Sequence, residues 1–429
     1  MKLKIVYYWL YFRFKRKSKT RKELTQYQQR KLQSFFAKVL TQSPYYVTFV
    51  KEGKVLDDFP IINKQIFMEM FDQINTQGIK KQQAMEIALQ AEESRNFSPE
   101  YGKLTVGLST GTSGKRGLFV VSEKERAQWV GLVMNRVIKP VFFKRQKIAF
   151  FLRANSNLYS SIRSSLFEFA YFDIFKPIDE LLADLNAYQP DILSAQPSVL
   201  SDIADRQQRG LLHISPKQII SFAEVLQDED NHFISSVFNV SVTQVYQCTE
   251  GFLGVSCGYG TIHLNEDFLL IEKKTIEGRR FHPVITDFTR STQPIIRYEL
   301  DDILIERESP CPCGSVFIGL ERIEGRADDV LVFTTSEGKV KLYPDIICRM
   351  IARRTNDFRS YRIVQTGESH IRIELDCNPD DFDTVGQKIQ AGIEDLLQTN
   401  HVYSITIELQ KGITTSPGSK LRKVTRAIL

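Results

Sequence analysis

Residues 109–117 read "STGTSGKRG". A run of hydroxyl, glycine and cationic residues describes either a solvated Gly/Ser turn or a loop that grips phosphate. Glycines let successive backbone N–H groups converge on an anion, and Ser and Thr hydroxyls add further donors. The flanking runs, "KLTVGLS" (103–109) and "GLFVVS" (117–122), are strand-like, so the stretch joins two paired strands. That context excludes a Walker A loop, G-x-x-x-x-G-K-[ST] followed by a helix. Ser109 stands at the first glycine position, Arg116 follows Lys115, and a strand comes next.

Outward from this loop the chain alternates between strand and helix. "KIAFFLR" (147–153) and "DILSAQP" (191–197) read as strands, and 123–136 and 178–188 as helices. Such alternation predicts an α/β domain with a largely parallel sheet. From about residue 261 the texture turns β-rich, as in "TIHLNEDFLLIEKK" and "PIIRYELDDILIE", which predicts a meander or small barrel. After "EGRADDVLVF" (324–333) comes a short α+β pattern: helices at 344–353 and 380–398, strands at 361–366, 370–376 and 402–409. The expected organisation is a basic, aromatic helical segment (1–40), a large domain (41–325) and a small C-terminal domain (326–429).

The 429 residues are 42% hydrophobic and 25% charged, globular values that suit two or three domains with ample core. The net charge of +6 is local, because residues 1–24 hold nine Lys or Arg against one Glu. The remainder is close to neutral, which argues against nucleic acid as a partner. Within the basic segment, "IVYYWLYF" is too short to span a bilayer. It fits a helix packed on the body, or one lying on an anionic membrane surface. Six cysteines, clustered rather than spaced as a framework, predict a reducing, cytoplasmic setting.

Further motifs follow the loop in order: "AEV" (223–225), "YQCTEG" (246–251), "RYELDD" (297–302), "EGRADD" (324–329) and "SPGSKLRKV" (416–424). The ordered set resembles the adenylate-forming superfamily of acyl and aryl ligases. "STGTSGKRGLFVVS", "LDDFPIINKQIF" and a CPC element are most similar to its phenylacetate–CoA ligase branch, over roughly residues 40–429. The resemblance implies a large α/β adenylate-forming domain with a small β-barrel region, followed by a small mobile α+β C-terminal domain. It also implies attack of a carboxylate on the α-phosphate of ATP, release of pyrophosphate, and acyl transfer to a thiol, most often coenzyme A. An amine, a hydroxyl or a carrier-protein thiol stays open as acceptor. So do a non-catalytic, membrane-peripheral scaffold on the same fold and a homodimer.

By the same resemblance, Ser109, Thr110, Gly111, Thr112, Ser113, Gly114 and Lys115 clamp the β- and γ-phosphates. Thr249 touches the α-phosphate and Glu250 ligates Mg²⁺; one protein carboxylate is enough for a cation that also bridges phosphates. Ala223, Glu224 and Tyr246 line the adenine slot, Asp302 accepts from the ribose hydroxyls, and Arg326 reaches the ribose or α-phosphate. Strand alternation turns Asp301 and Asp302 to opposite faces, so only one enters the site. Asp328 falls at the hinge between domains, and Lys420 is the residue that the small domain delivers. The chain departs from the family at Gly418-Ser419-Lys420, where Gly commonly precedes the Lys directly, so Lys423 stays open for that role. Aromatics of 150–172 suit an apolar pocket for an aryl or alkyl acid, though most of them also suit a core.

A second constellation comprises Cys257 and His263 in "SCGYGTIH", with Cys311 and Cys313 in "SPCPCGS". Three thiolates and one imidazole form a tetrahedral zinc set with no position left for water, so a zinc ion there would be structural.

Overall fold

The computed structural model describes residues 1–15, 18–94, 99–108, 117–138, 145–152, 167–174, 176, 178–336, 338–355, 357–414 and 421–427. Contacts divide the chain into two compact units. One holds 1–226, 230–300 and 305–322, and the other holds 227–229, 301–304 and 323–429.

The first unit opens with helices α1 (Lys2–Phe14) and α2 (Arg21–Lys38). Short helices α3 (Val47–Lys51), α4 (Lys64–Glu69) and α5 (Phe71–Ile74) and the longer α6 (Lys81–Glu93) follow. Three antiparallel strands, β1 (Glu100–Tyr101), β2 (Leu104–Leu108) and β3 (Leu118–Ser122), form a small sheet beside them. β2 and β3 pair from Leu104↔Ser122 to Leu108↔Leu118, so the loop at 109–117 does link paired strands. Ser122 then starts α7 (Glu123–Arg136) with a capping box, its hydroxyl accepting from the Glu125 N–H while Glu125 reaches back.

The main sheet has a parallel half with β5 (Phe167–Asp173), β4 (Gln146–Leu152), β6 (Ile192–Ala195), β7 (Gln218–Phe222) and β8 (Val242–Gln247) side by side. Ile148, Ala149, Phe151, Leu193 and Ile219 are buried, the near-continuous apolar character of strands covered on both faces. Phe151 and Phe172 stack in a core with Leu181, Leu185, Leu200 and Ile203 of the helices at 178–188 and 197–208. On the alternate face Phe150 stacks on Phe222, with ring centroids 5.1 Å apart.

The sheet continues as antiparallel strands β9 (Phe252–Ser256), β10 (Ile262–Leu264), β11 (Leu269–Glu277), β12 (Arg280–Asp287) and β13 (Ile295–Glu299). β14 (Asp302–Glu306) and β15 (Gly319–Arg326) bring it to twelve strands among the described residues.

The second unit is the α+β region expected from periodicity. A hairpin, β16 (Leu331–Thr335) and β17 (Gly338–Leu342), precedes a four-stranded sheet ordered β20 (Thr406–Lys411), β19 (His370–Asp376), β18 (Ser360–Gly367), β21 (Val424–Arg426). Helices at 344–354 and 382–399 supply Ile347, Ile351, Ile389 and Ile393 to its core. Buried Gln365 ties the hairpin on by accepting from the Val332 N–H (2.9 Å) and donating to the Val332 carbonyl (2.7 Å).

Candidate functional site

The parallel strands end together, and the edge beyond their C-termini is where α/β sheets place ligands. Three predicted residues follow β7 or end β8 there. Ala223 has φ of 71°, the left-handed region that a Cβ disfavours. Glu224 accepts from the Ser198 N–H (3.3 Å), which sets a carboxylate against the first turn of the helix at 197–208. Tyr246 is buried near the end of β8.

Thr249 and Glu250 are the two central residues of a tight turn. Cys248 and Gly251 close it by exchanging two backbone hydrogen bonds, at 3.0 and 3.3 Å. The turn lies where the parallel half gives way to the antiparallel one, because β8 and β9 are antiparallel neighbours. The buried Tyr298 hydroxyl donates to Glu250 Oε1 (2.9 Å), and Arg290 donates to the Glu250 carbonyl (3.3 Å). Tyr298 is held in turn by Arg297 at its side. That residue sits at φ 44° and donates to Glu272 and to the Asp57 and Phe59 carbonyls. Ile62 bridges Tyr298 through backbone bonds to Arg297 and Glu299, so the "LDDFPII" segment braces the same strand.

Residues 290–293 connect this turn to the strand leaving the glycine-rich loop. Gln293 accepts from the Val120 N–H (3.1 Å) and from Arg290 (3.4 Å), and donates to the Leu118 carbonyl (3.3 Å). Buried Glu125 accepts from the N–H groups of Ser291 (2.6 Å) and Thr292 (2.9 Å), from the Thr292 hydroxyl, and from Ser122. Asp287 lies below the turn, with Oδ2 3.4 Å from where a Cβ on Gly251 would stand. Burial holds its carboxyl up at about 6, although the Thr289 N–H (2.7 Å) and hydroxyl (2.6 Å) both favour the charged form. The sequence reading missed Tyr298, Arg290, Gln293, Glu125 and Asp287. Only Glu125 left a local signal, the S-x-x-E of "SEKE".

In the second unit Asp301 is exposed and Asp302 half-buried, the division that strand alternation predicts. Asp302 Oδ1 stands 3.6 Å from Arg326 Nε. Arg326 opens a short turn at 327–329 that contains Asp328; the Arg326 N–H donates to Asp329 (3.3 Å), and Arg422 pairs with Asp329 from the C-terminal end. Lys423 places its ammonium 5.5 Å from the centre of the Tyr361 ring. Residues 109–116, with Lys115, residues 153–166 of the expected acid pocket, and 415–420, with Lys420, lie outside the described residues, as does the Asp328 side chain.

Cys257, His263, Cys311 and Cys313 do meet, their four donor atoms all within 4.8 Å of one another. Cys257 directly follows β9, and a backbone turn back to Thr261 delivers His263 on β10. β10 pairs with β15 through His263↔Gly319, and a second turn from Cys311 to Gly314 presents the other two thiols. Gly319 runs close beside the group: a Cβ there would stand 3.2 Å from Thr261 Cγ2 and 3.6 Å from His263 Cε1. The sulfurs of Cys257 and Cys311 are 3.6 Å apart, and Cys313 Sγ is 3.2 Å from His263 Nε2. Tetrahedral zinc with Zn–S of ~2.3 Å and Zn–N of ~2.0 Å spaces its donors roughly 3.5–3.8 Å apart, so the set fits. His263 Nδ1 faces the Phe317 carbonyl (3.3 Å), which leaves Nε2 for a metal. Burial raises the Cys311 thiol, but bonds involving Thr261, Cys313 and His263 outweigh it and bring it down to about 6.

No protein-family model matches the chain. Protein CapK of Staphylococcus aureus is 26% identical over 295 residues, covering 68% of this chain and 63% of its own. Phenylacetate-coenzyme A ligase of Thermus thermophilus is 20% identical over 258 residues, covering 55% and 56%. The chain thus spans less than two thirds of either relative's length. Among solved structures, 2-hydroxyisobutyryl-CoA ligase in the postadenylation state with 2-HIB-AMP superposes with a TM-score of 0.66 at 16% identity, over 92% of this chain and 88% of that one. The chain has the fold of the adenylate-forming ligases, and its sequence is similar to that of a phenylacetate-coenzyme A ligase.

Proposed function

We propose that this chain activates a carboxylic acid on ATP and passes the acyl group on, most often to coenzyme A. A carboxylate oxygen attacks the α-phosphorus, the bond to the bridging oxygen of pyrophosphate breaks, and an acyl-adenylate remains. A thiolate then attacks the acyl carbon and AMP leaves. The observation that carries this reading is the Thr249–Glu250 turn, braced by Tyr298 and Arg290 and linked through Gln293 to the strand leaving the glycine-rich loop. A braced carboxylate tied to the strand that leaves the 109–117 stretch suits a reaction that asks for alignment and charge neutralisation rather than covalent help.

In this reading the 109–115 loop binds the leaving pyrophosphate and Thr249 orients the α-phosphate. Glu250 would hold Mg²⁺, which when bound offsets phosphate charge. Tyr246 stacks on adenine beside Ala223 and Glu224, and Asp302 with Arg326 takes the ribose. Lys420 reaches the carboxylate and α-phosphate, and Asp328 serves as the hinge. Lys423, engaged over Tyr361, is the weaker candidate for the role of Lys420. The Cys₃His set would hold zinc with a structural purpose, because protein donors fill all four positions.

ATP–pyrophosphate exchange over a panel of aryl and alkyl acids tests the proposal. Exchange is expected with at least one acid, cut about 10²–10³-fold by Lys420→Ala and by Glu250→Gln. Exchange with none of the acids by well-folded protein sinks the reading. Coenzyme A, amines and a carrier-protein thiol, offered after adenylation, then identify the acceptor.

A further inference from the structure

Helix α1 is apolar on both sides, and the protein uses only one of them. Ile5 and Phe12 are buried, and the helix crosses α7 so closely that a Cβ on Gly131 would stand 2.7 Å from Tyr8 Cβ and 2.8 Å from the Trp9 nitrogen. On the opposite side Leu3 (87% exposed), Val6, Tyr7 (62%), Leu10, Tyr11 and Phe14 (79%) face solvent. Their i, i+3, i+4, i+7, i+8, i+11 spacing makes a single stripe, at ~100° per residue. The same geometry sets Lys4 and Arg13, both exposed, at its two margins.

So large an apolar face on a helix is a liability unless something covers it. With 13 residues α1 is too short to cross a bilayer, and among the described residues no helix is long and apolar enough to do so. Charge chooses between the remaining occupants. Of the nine Lys or Arg in residues 1–24, Lys4, Lys15 and Arg21 pair with Glu123, Asp267 and Glu266, yet the excess over that segment's single Glu would still repel a second copy of the same face, whereas anionic headgroups complement it. Tyrosines suit the same boundary, with a ring for the acyl region and a hydroxyl for the wet side.

We propose that the outer face of α1 docks in the plane of an anionic lipid surface, with Leu3, Leu10 and Phe14 in the acyl boundary. Lys4 and Arg13 extend their stems along the apolar stripe and reach the headgroups from either side. The docked helix is coupled to the body through Lys4, which also pairs with Glu123 (3.2 Å) at the start of α7, directly after the strand leaving the 109–117 loop. The inference stands independently of the catalytic reading.

Co-sedimentation of the full chain with vesicles of phosphatidylcholine, with and without phosphatidylglycerol, tests it. The chain should sediment with the phosphatidylglycerol vesicles only, and added salt should release it. The double variant Leu10→Glu/Phe14→Glu should lose roughly tenfold or more of that partitioning, with an unchanged unfolding midpoint. Absence of wild-type binding to the anionic vesicles overturns the proposal, as does equal binding by the double variant. Sedimentation equilibrium gives a third refuting result: a dimer that the double variant converts to monomer would assign the face to a second copy.

Discussion

Glu125 offers a test that needs no knowledge of substrate. Its two carboxylate oxygens receive five donors and no acceptor: the Ser291 and Thr292 N–H groups at Oε1, and the Ser122 N–H and the Ser122 and Thr292 hydroxyls at Oε2. Glu125→Gln preserves volume but must direct an NH₂ at one of those positions. If it faces Oε2, the two hydroxyls can rotate to accept, but the Ser122 N–H is left buried without a partner. If it faces Oε1, two backbone N–H groups are orphaned. The first arrangement is the less costly, and one orphaned buried donor is worth about 1–3 kcal/mol. Loss of charge assistance on the remaining bonds adds to this, so destabilisation of about 2–4 kcal/mol is expected. Urea unfolding at neutral pH reads it directly, as a lower midpoint with an unchanged slope. A Glu125→Gln variant within about 0.5 kcal/mol of wild type would refute the argument. In that case residues 290–293 would not depend on this carboxylate for their position.

Asp287→Asn should reveal the cost of a buried charge. The wild-type carboxyl is raised to about 6 from 3.8, so the folded state binds its proton more tightly than the unfolded state does. That contribution is complete below pH ~3.8 and lost as pH rises through about 6. Wild-type stability relative to the variant should therefore fall by about 3 kcal/mol between pH ~4 and pH ~7, and parallel pH profiles would contradict this. Elemental analysis of freshly purified protein should give about one zinc per chain, diminished by Cys311→Ser, with chelators lowering the melting temperature. Metal-free protein with the wild-type melting temperature would remove the zinc site. Tyr298→Phe removes the donor to Glu250 and should lower exchange activity about 10–100-fold with little change in the KM for the acid; unaltered kcat would make that hydroxyl merely structural. Gly131→Ala should loosen α1 by about 1–3 kcal/mol, seen as faster proteolysis within residues 1–15, because the added Cβ meets backbone that cannot yield cheaply. Unchanged proteolysis would show that the two helices part without cost.

Periodicity made most elements legible in the sequence. The helix expected at 123–136 is α7, and the C-terminal strands and helices fall within a few residues of their expected positions. These are segments in which local pattern and tertiary burial agree. The Cys/His grouping was readable by residue type, although His263 and Cys311 lie 48 positions apart and strand pairing between β10 and β15 helps bring their segments together. The bracing of Glu250 was not readable. Tyr298 looks like any core aromatic on a β-rich run, and Gln293 and Arg290 sit in a polar connection that reads as loop. Their roles arise from hydrogen bonds between segments distant in sequence, which no local window contains.

The turn at Thr249–Glu250 and the thiol of Cys257 are joined by β9, only five residues long. Side chains alternate faces along that strand, so one residue inserted or deleted in the turn would carry every β9 side chain through to the other side. Cys257 would then turn away from His263, Cys311 and Cys313. The spacing between the carboxylate of the turn and the first sulfur is thus fixed by the pleat itself. A change in chain length within 249–257 would therefore disturb the turn and the placing of Cys257 together.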